Sequence, residues 1–274
     1  MQETDFFTRK RKYINPRCWQ LIREASTSRY LQKELPEFVN GFHISTPVVN
    51  VSFSLSGIQV ISKHYPGEMQ MIGLYHPEKV EKAILMGASA LQGLLSISIS
   101  THPFGLWNNL YQPVRTFKAL SLAARGKIFP QTSFLKRFIS IVRRPANPHR
   151  LKYLVHGNLH GGNILLDYEH NDLALVDLEM VHIDSPAVDF AMLWVTHYLA
   201  SPDLAGLFTK LMQNSMPIFS QPDIMLEIQR EITIEASLML EKARNNRNNK
   251  LLAGSQMLMN EIVECSSPAE LLKY

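Results

Sequence analysis

The sequence predicts an α+β fold in which a small strand-rich region comes first and a larger helical region follows. Three observations carry this. Residues 50–63 alternate polar and apolar side chains on either side of a turn, residues 153–176 hold three short apolar runs separated by polar turns, and from residue 185 onward the apolar residues recur at helical spacing. A chain of 274 residues with 46% hydrophobic content is long enough to bury a sizeable core for both regions.

The start, Met1-Gln2-Glu3-Thr4-Asp5, carries acids where a secretory leader would be apolar, and no stretch approaches the roughly eighteen apolar residues of a membrane span. Only Cys18 and Cys265 occur, too far apart in sequence for metal-ligand spacing, so neither a disulfide framework nor a structural zinc is expected. The expectation is a soluble protein of a reducing compartment, most simply the cytoplasm. Arg9-Lys10-Arg11-Lys12 is a basic cluster without interleaved aromatics, and the net charge is only +4; this reads as a solvated face and not as a nucleic-acid surface.

Asn50-Val51-Ser52-Phe53-Ser54-Leu55 reads as a half-buried strand, Ser56-Gly57 as a turn, and Ile58-Gln59-Val60-Ile61-Ser62-Lys63 as the returning strand. The preceding segment, residues 42–49, contains no glycine. A helix is expected to begin near His76-Pro77, with Val80, Ile84, Leu85, Ala88, Leu91 and Leu94-Leu95 on its apolar face and Glu78 and Glu81 in its first turns. Residues 95–100 can form one further strand. Helical spacing then continues through residues 104–124, 133–142, 185–199, 202–212, 224–243 and 251–263. Glu227, Glu231 and Glu235 recur at intervals of four on one of these helices, as a solvated face or an acidic wall would; the solvated face is the expected reading.

The chemistry concentrates in His156-Gly157-Asn158-Leu159-His160-Gly161-Gly162-Asn163, followed fourteen residues after Asn163 by Asp177-Leu178-Glu179. Tyr153-Leu154-Val155 runs in as a strand, Ile164-Leu165-Leu166 runs out, and Leu173-Ala174-Leu175-Val176 is the hairpin partner that delivers Asp177 at its end. Further on, Asp184-Ser185-Pro186 starts a helix, and Asp189 falls among Val188, Phe190, Ala191 and Leu193, where a carboxylate needs a buried partner. Phosphoryl transfer requires a group facing the acceptor hydroxyl and oxygen ligands that hold a cation on the phosphates. A loop with His, Asn and Gly, and an Asp brought from the next strand, suits that need.

These residues resemble the aminoglycoside and choline phosphotransferases, in which the loop reads His-Gly-Asp-x-His-x-x-Asn, the strand end Asp-x-Glu and the helix start Asp-Pro-x-x-Asp. The departure is Asn158, which stands where the family keeps its catalytic aspartate. The resemblance implies a bilobal protein-kinase-like fold with a reduced β-rich N-lobe and a helical C-lobe: residues 1–100 an N-terminal helical extension and small lobe, residues 101–274 the large lobe with the catalytic loop. It implies ATP and Mg2+ as cofactors, with Asn163 and Asp177 at the metal, Lys63 on the phosphates paired with Glu81, and Asn158 and His160 facing the acceptor. His156 and Asp189 are implied as structural, with Asp189 tied to the loop near His156 or Gly157. Two functional classes stay open: a phosphotransferase acting on the hydroxyl of a small molecule, impaired by Asn158, or a pseudokinase that binds nucleotide or a protein partner. An amide in place of the carboxylate accepts a hydrogen bond but takes no proton at neutral pH.

Overall fold

The computed structural model describes residues 6–12, 18–47, 49–54, 57–63, 65–99, 111–125, 132–144 and 152–273. Two compact units emerge, the first made of Met1–Ser100 with Tyr153–His182, the second of Thr101–Lys152 with Ile183–Tyr274.

The first unit holds β1 (Phe6–Lys12), α1 (Cys18–Glu34), β2 (Phe38–Val39), β3 (Phe42–Ser45), β4 (Val49–Ser54), β5 (Gly57–Lys63), β6 (Glu68–Met69), α2 (Gln70–Gly73) and α3 (Val80–Leu95). Among the described residues the strand β1 precedes the helix expected in the N-terminal region. Strands β1, β5 and β4 form an antiparallel sheet in that order, with Val51 opposite Val60 and Phe53 opposite Ile58. Helix α1 lies on this sheet because Leu21 and Ala25, one turn apart, pack with Val49, Ile58 and Val60 in one buried cluster. Each such aliphatic side chain contributes about 1.5–3 kcal/mol on burial.

The hairpin of residues 50–63 forms, but Gly57, expected in the turn, opens β5 opposite Ser54, and Leu55 and Ser56 lie outside the described residues. Residues 42–45 become strand β3, which pairs in parallel with a strand more than a hundred residues later, and residues 95–99 add no strand. That later part of the unit contains β7 (Tyr153–Val155), β8 (Ile164–Asp167) and β9 (Asp172–Leu175). A five-stranded sheet runs β2-β3-β9-β8-β6, with Ile44 beside Leu173 and Met69 beside Leu165. Its pairings place residues 153–182 with the first hundred residues, although the sequence suggested a single division at 100/101 with the loop on the far side. Helix α3 backs this sheet and β7; Ala83, Met86, Ala88, Ala90, Leu91 and Leu94 are buried along it.

The second unit holds α4 (Tyr111–Ala124), α5 (Thr132–Val142), α6 (Ala187–Ala200), α7 (Pro202–Ser215), α8 (Pro222–Asn245), α9 (Asn249–Glu264) and α10 (Pro268–Leu271). Helix α6 is apolar on nearly every side and packs against α7 and α8. Phe190 meets Phe208 and Phe219 at ring separations of 5.2 and 4.8 Å, and the Trp194 indole N–H donates to Thr209 Oγ1 at 3.1 Å. Met192, Met212 and Met259 fill gaps in this core. The α+β fold class is the one expected. No helix among the described residues is long and apolar enough to cross a membrane.

Candidate functional site

The loop that carries the motif is built by a hairpin on one side and a strained turn on the other. Strands β8 and β9 pair with Ile164 opposite Leu175 and Asp167 opposite Asp172, turning through Asn171 at positive φ. At the open end of the hairpin, Val176 N–H donates to Asn163 O at 3.0 Å, which sets residue 177 beside residue 163. Asp177 adopts a left-handed conformation, φ 60° and ψ 49°, a region that a β-carbon makes costly and that Asp and Asn tolerate best. This turn directs its carboxylate back toward the loop and starts the 3-10 turn Leu178–Met180.

Within the loop, His160 N–H donates to Asn158 O at 2.9 Å, Asn163 N–H to His160 O at 2.8 Å, and the Asn163 side-chain amide to Asn158 O at 2.8 Å. Asn163 is buried, and its amide nitrogen is committed to the loop backbone, so only its carbonyl oxygen is of the right chemistry to ligate a cation. Asn158 Nδ2 donates to Asp177 Oδ2 at 3.3 Å. The three residues the sequence singled out at the chemical centre, Asn158, Asn163 and Asp177, are thus brought together.

His156 is buried and its Nε2 donates to Val176 O at 2.8 Å, tying the start of the loop to the strand that delivers Asp177. Gly157 follows at φ 75°, where a β-carbon would stand 2.6 Å from Met180 O and 2.7 Å from the His182 ring, so the loop closes only with glycine here. His160 Nδ1 accepts from Gly162 N–H at 3.0 Å. A backbone amide is always a donor, so the neutral ring carries its proton on Nε2 and has no open lone pair for a substrate proton. His160 orients the loop.

The expected pairing of Lys63 with Glu81 falls on a side chain outside the described residues, that of Lys63 at the end of β5. Glu81 is exposed in the first turn of α3, whose buried stripe begins at Ala83, while Lys82 on the next position donates to Tyr168 O. The helix lying against β4, β5 and the Leu178–Met180 turn is α1. There Glu24 is buried on the face of Leu21 and Ala25, and Arg23 donates to Val181 O at 2.5 Å. Burial pulls the Arg23 guanidinium below its ordinary value and the Glu179 carboxylate opposes the shift. The sequence led to a helix in the N-terminal region but not to its place beside these strands, because residues 18–34 have a weak apolar stripe; the recurrence of Leu21, Ala25, Ser28 and Leu31 was the available signal.

Asp189 is fully buried in the first turn of α6, within the second unit. On α8 the three glutamates are buried and not solvated: Arg115 donates to Glu231 at 3.1 Å and to Glu235 at 2.7 Å, Arg230 donates to the other Glu231 oxygen at 2.5 Å, and Ser185 donates to Glu227.

Among the described residues no cluster of three or more His, Cys, Asp or Glu side chains is arranged around a cation position. One amide oxygen from Asn163 and one carboxylate from Asp177 still fit Mg2+, which is commonly held by one or two protein carboxylates with phosphate and water completing the shell.

Residues 102–213 match the model of the phosphotransferase enzyme family. No curated protein sequence matches the chain. Among solved structures, the chain is similar to aminoglycoside phosphotransferase APH(4)-Ia, with 13% identity, 97% of this chain and 88% of that one covered, and a TM-score of 0.61. A ternary complex of a thermostable mutant of the same enzyme with AMP-PNP and hygromycin B aligns with 13% identity, 96% and 87% coverage and a TM-score of 0.59. The GDP and kanamycin complex of APH(2")-IIIa aligns with 17% identity, 89% and 82% coverage and a TM-score of 0.61. The fold is therefore the kinase-like fold of the aminoglycoside phosphotransferases.

Proposed function

We propose that this protein binds ATP with Mg2+ through Asn163 and Asp177 and is a phosphotransferase directed at the hydroxyl of a small molecule, with turnover held down by Asn158. The observation that carries the reading is the convergence of the Asn163 and Asp177 side chains on one loop, with Asn158 beside them. Structures of the same fold were solved with AMP-PNP or GDP, which supports nucleotide use.

In the reaction the acceptor oxygen forms a bond to the γ-phosphorus, the bond from that phosphorus to the β–γ bridging oxygen breaks, and ADP leaves. Bound magnesium would neutralise charge on the phosphate oxygens. The hydroxyl proton must go to a base. Asn158 offers it a hydrogen bond but no proton affinity, and His160 has its accepting nitrogen engaged, so the proton leaves to solvent or phosphate oxygen. A positioned base contributes about two to four powers of ten. Glu231 and Glu235 are held by Arg115, so these two carboxylates are not available to receive a polycation.

A second reading, a nucleotide-binding pseudokinase, is favoured by one specific observation: the Asn158 amide is turned to Asp177. Calorimetric titration with ATP and Mg2+ should show binding that Asp177→Ala abolishes. Asn158→Asp should then raise ADP production by about two to four powers of ten with nucleotide affinity little changed. Nucleotide binding without such a gain supports the binding module, and no heat at millimolar ATP removes both readings.

A further inference from the structure

We propose that the Asn158 amide takes the place of a divalent cation at Asp177, so that this site is assembled before any metal arrives. Among the described residues, the hydrogen bond from Asn158 Nδ2 is the only one that reaches the Asp177 carboxylate, and the carboxylate makes no cap to the turn it precedes. Asn158 is itself pinned, because its carbonyl accepts both His160 N–H at 2.9 Å and the Asn163 amide at 2.8 Å. Asp177 is held in turn by its left-handed backbone and by the Val176 bond to Asn163. The backbone at both positions is thus fixed by the loop, which sets the two side chains beside one another.

The chemistry of the pair follows from what each group donates. An amide offers its N–H to a carboxylate, and the pair carries a single negative charge. A carboxylate at 158 on the same backbone offers no donor and sets a second negative charge about 3.3 Å from the first, with a half-buried surrounding that screens it poorly. Such a pair repels, and a cation between its members relieves the repulsion. Asparagine at this position therefore removes more than a base. It frees the folded loop from magnesium, and magnesium arriving with nucleotide has to share or displace an existing hydrogen bond.

The test uses melting temperature without nucleotide, so its failure is separate from any failure of nucleotide binding. The unmodified protein should melt at the same temperature in EDTA and in millimolar MgCl2. Asn158→Asp should melt about 5 °C lower in EDTA and recover in MgCl2. The double variant Asn158→Asp with Asp177→Asn restores one amide and one carboxylate in exchanged order and should again be indifferent to EDTA. Loss of stability of the unmodified protein in EDTA, or a single variant unaffected by EDTA, overturns the proposal. If the single variant does not fold in either buffer, a folded double variant upholds the charge account and an unfolded one overturns it.

Discussion

The motif loop of the first unit and the ionic cluster of the second treat charge in opposite ways. Around Asp177 one carboxylate meets an uncharged amide at 3.3 Å and remains half-buried, beside Asn163, whose amide nitrogen is bound to the loop backbone. Around Glu231, fully buried, both carboxylate oxygens are met by arginines from α4 and from α8 itself, and Arg230 reaches on to Thr116 and Val142 O. A buried carboxylate with its full complement of guanidinium donors has nothing left to offer a ligand, whereas one with a single long hydrogen bond retains binding capacity. The difference separates acids that hold a fold together from acids available for chemistry, and sequence spacing alone does not draw that line.

The largest expected stability effect comes from unbalancing the cluster. Arg115→Ala leaves Glu231 and Glu235 short of donors in the interior and should cost about 3–5 kcal/mol in chemical denaturation, while nucleotide affinity of the folded fraction is unchanged. A cost near zero would mean that water enters the cluster and that these acids belong with Asp177 after all.

Next in size is an effect of acid on the same unit. His197 is fully buried, stacked on Phe208 with centroids 4.7 Å apart, and its Nδ1 donates to Leu193 O at 2.6 Å. Desolvation lowers its pKa from 6.5 to about 4. Because the folded value is depressed, the unfolded chain binds the proton first as pH falls. The stability associated with the neutral ring is complete above pH 6.5 and is lost progressively toward pH 4, by about 3 kcal/mol in all. Denaturation midpoints followed over that range should show the slope, and His197→Phe should flatten it. The smallest effect is expected at Glu81: exposed on α3, its replacement by Ala should change stability by less than about 0.5 kcal/mol and leave ATP affinity untouched. A clear loss of affinity would support the expected pairing of Glu81 with Lys63.

Much of the site was legible because its chemistry depends on short-range order. The run from His156 to Asn163 and the apolar strands on each side of it are one local hairpin system, so spacing implied contact among Asn158, Asn163 and Asp177. The role of Gly157 was legible only as a family letter; that its β-carbon would strike Met180 O and the His182 ring appears once the following turn folds back.

Sequence by itself determined the α+β class, the hairpins, the helices of the second unit and the loop that joins Asn158 to Asn163, because hydrophobic period and turn chemistry act over a few residues. Tertiary structure decided which helix accompanies the site and which acids are spent. Glu24 and Arg23 on α1 lie against β5 and the turn after Asp177 more than 150 positions away, and Glu231 finds its arginine 116 positions upstream. A glutamate has the same local preferences whether water, a guanidinium or a ligand receives its charge. Only the packing of distant segments settles which of these it meets.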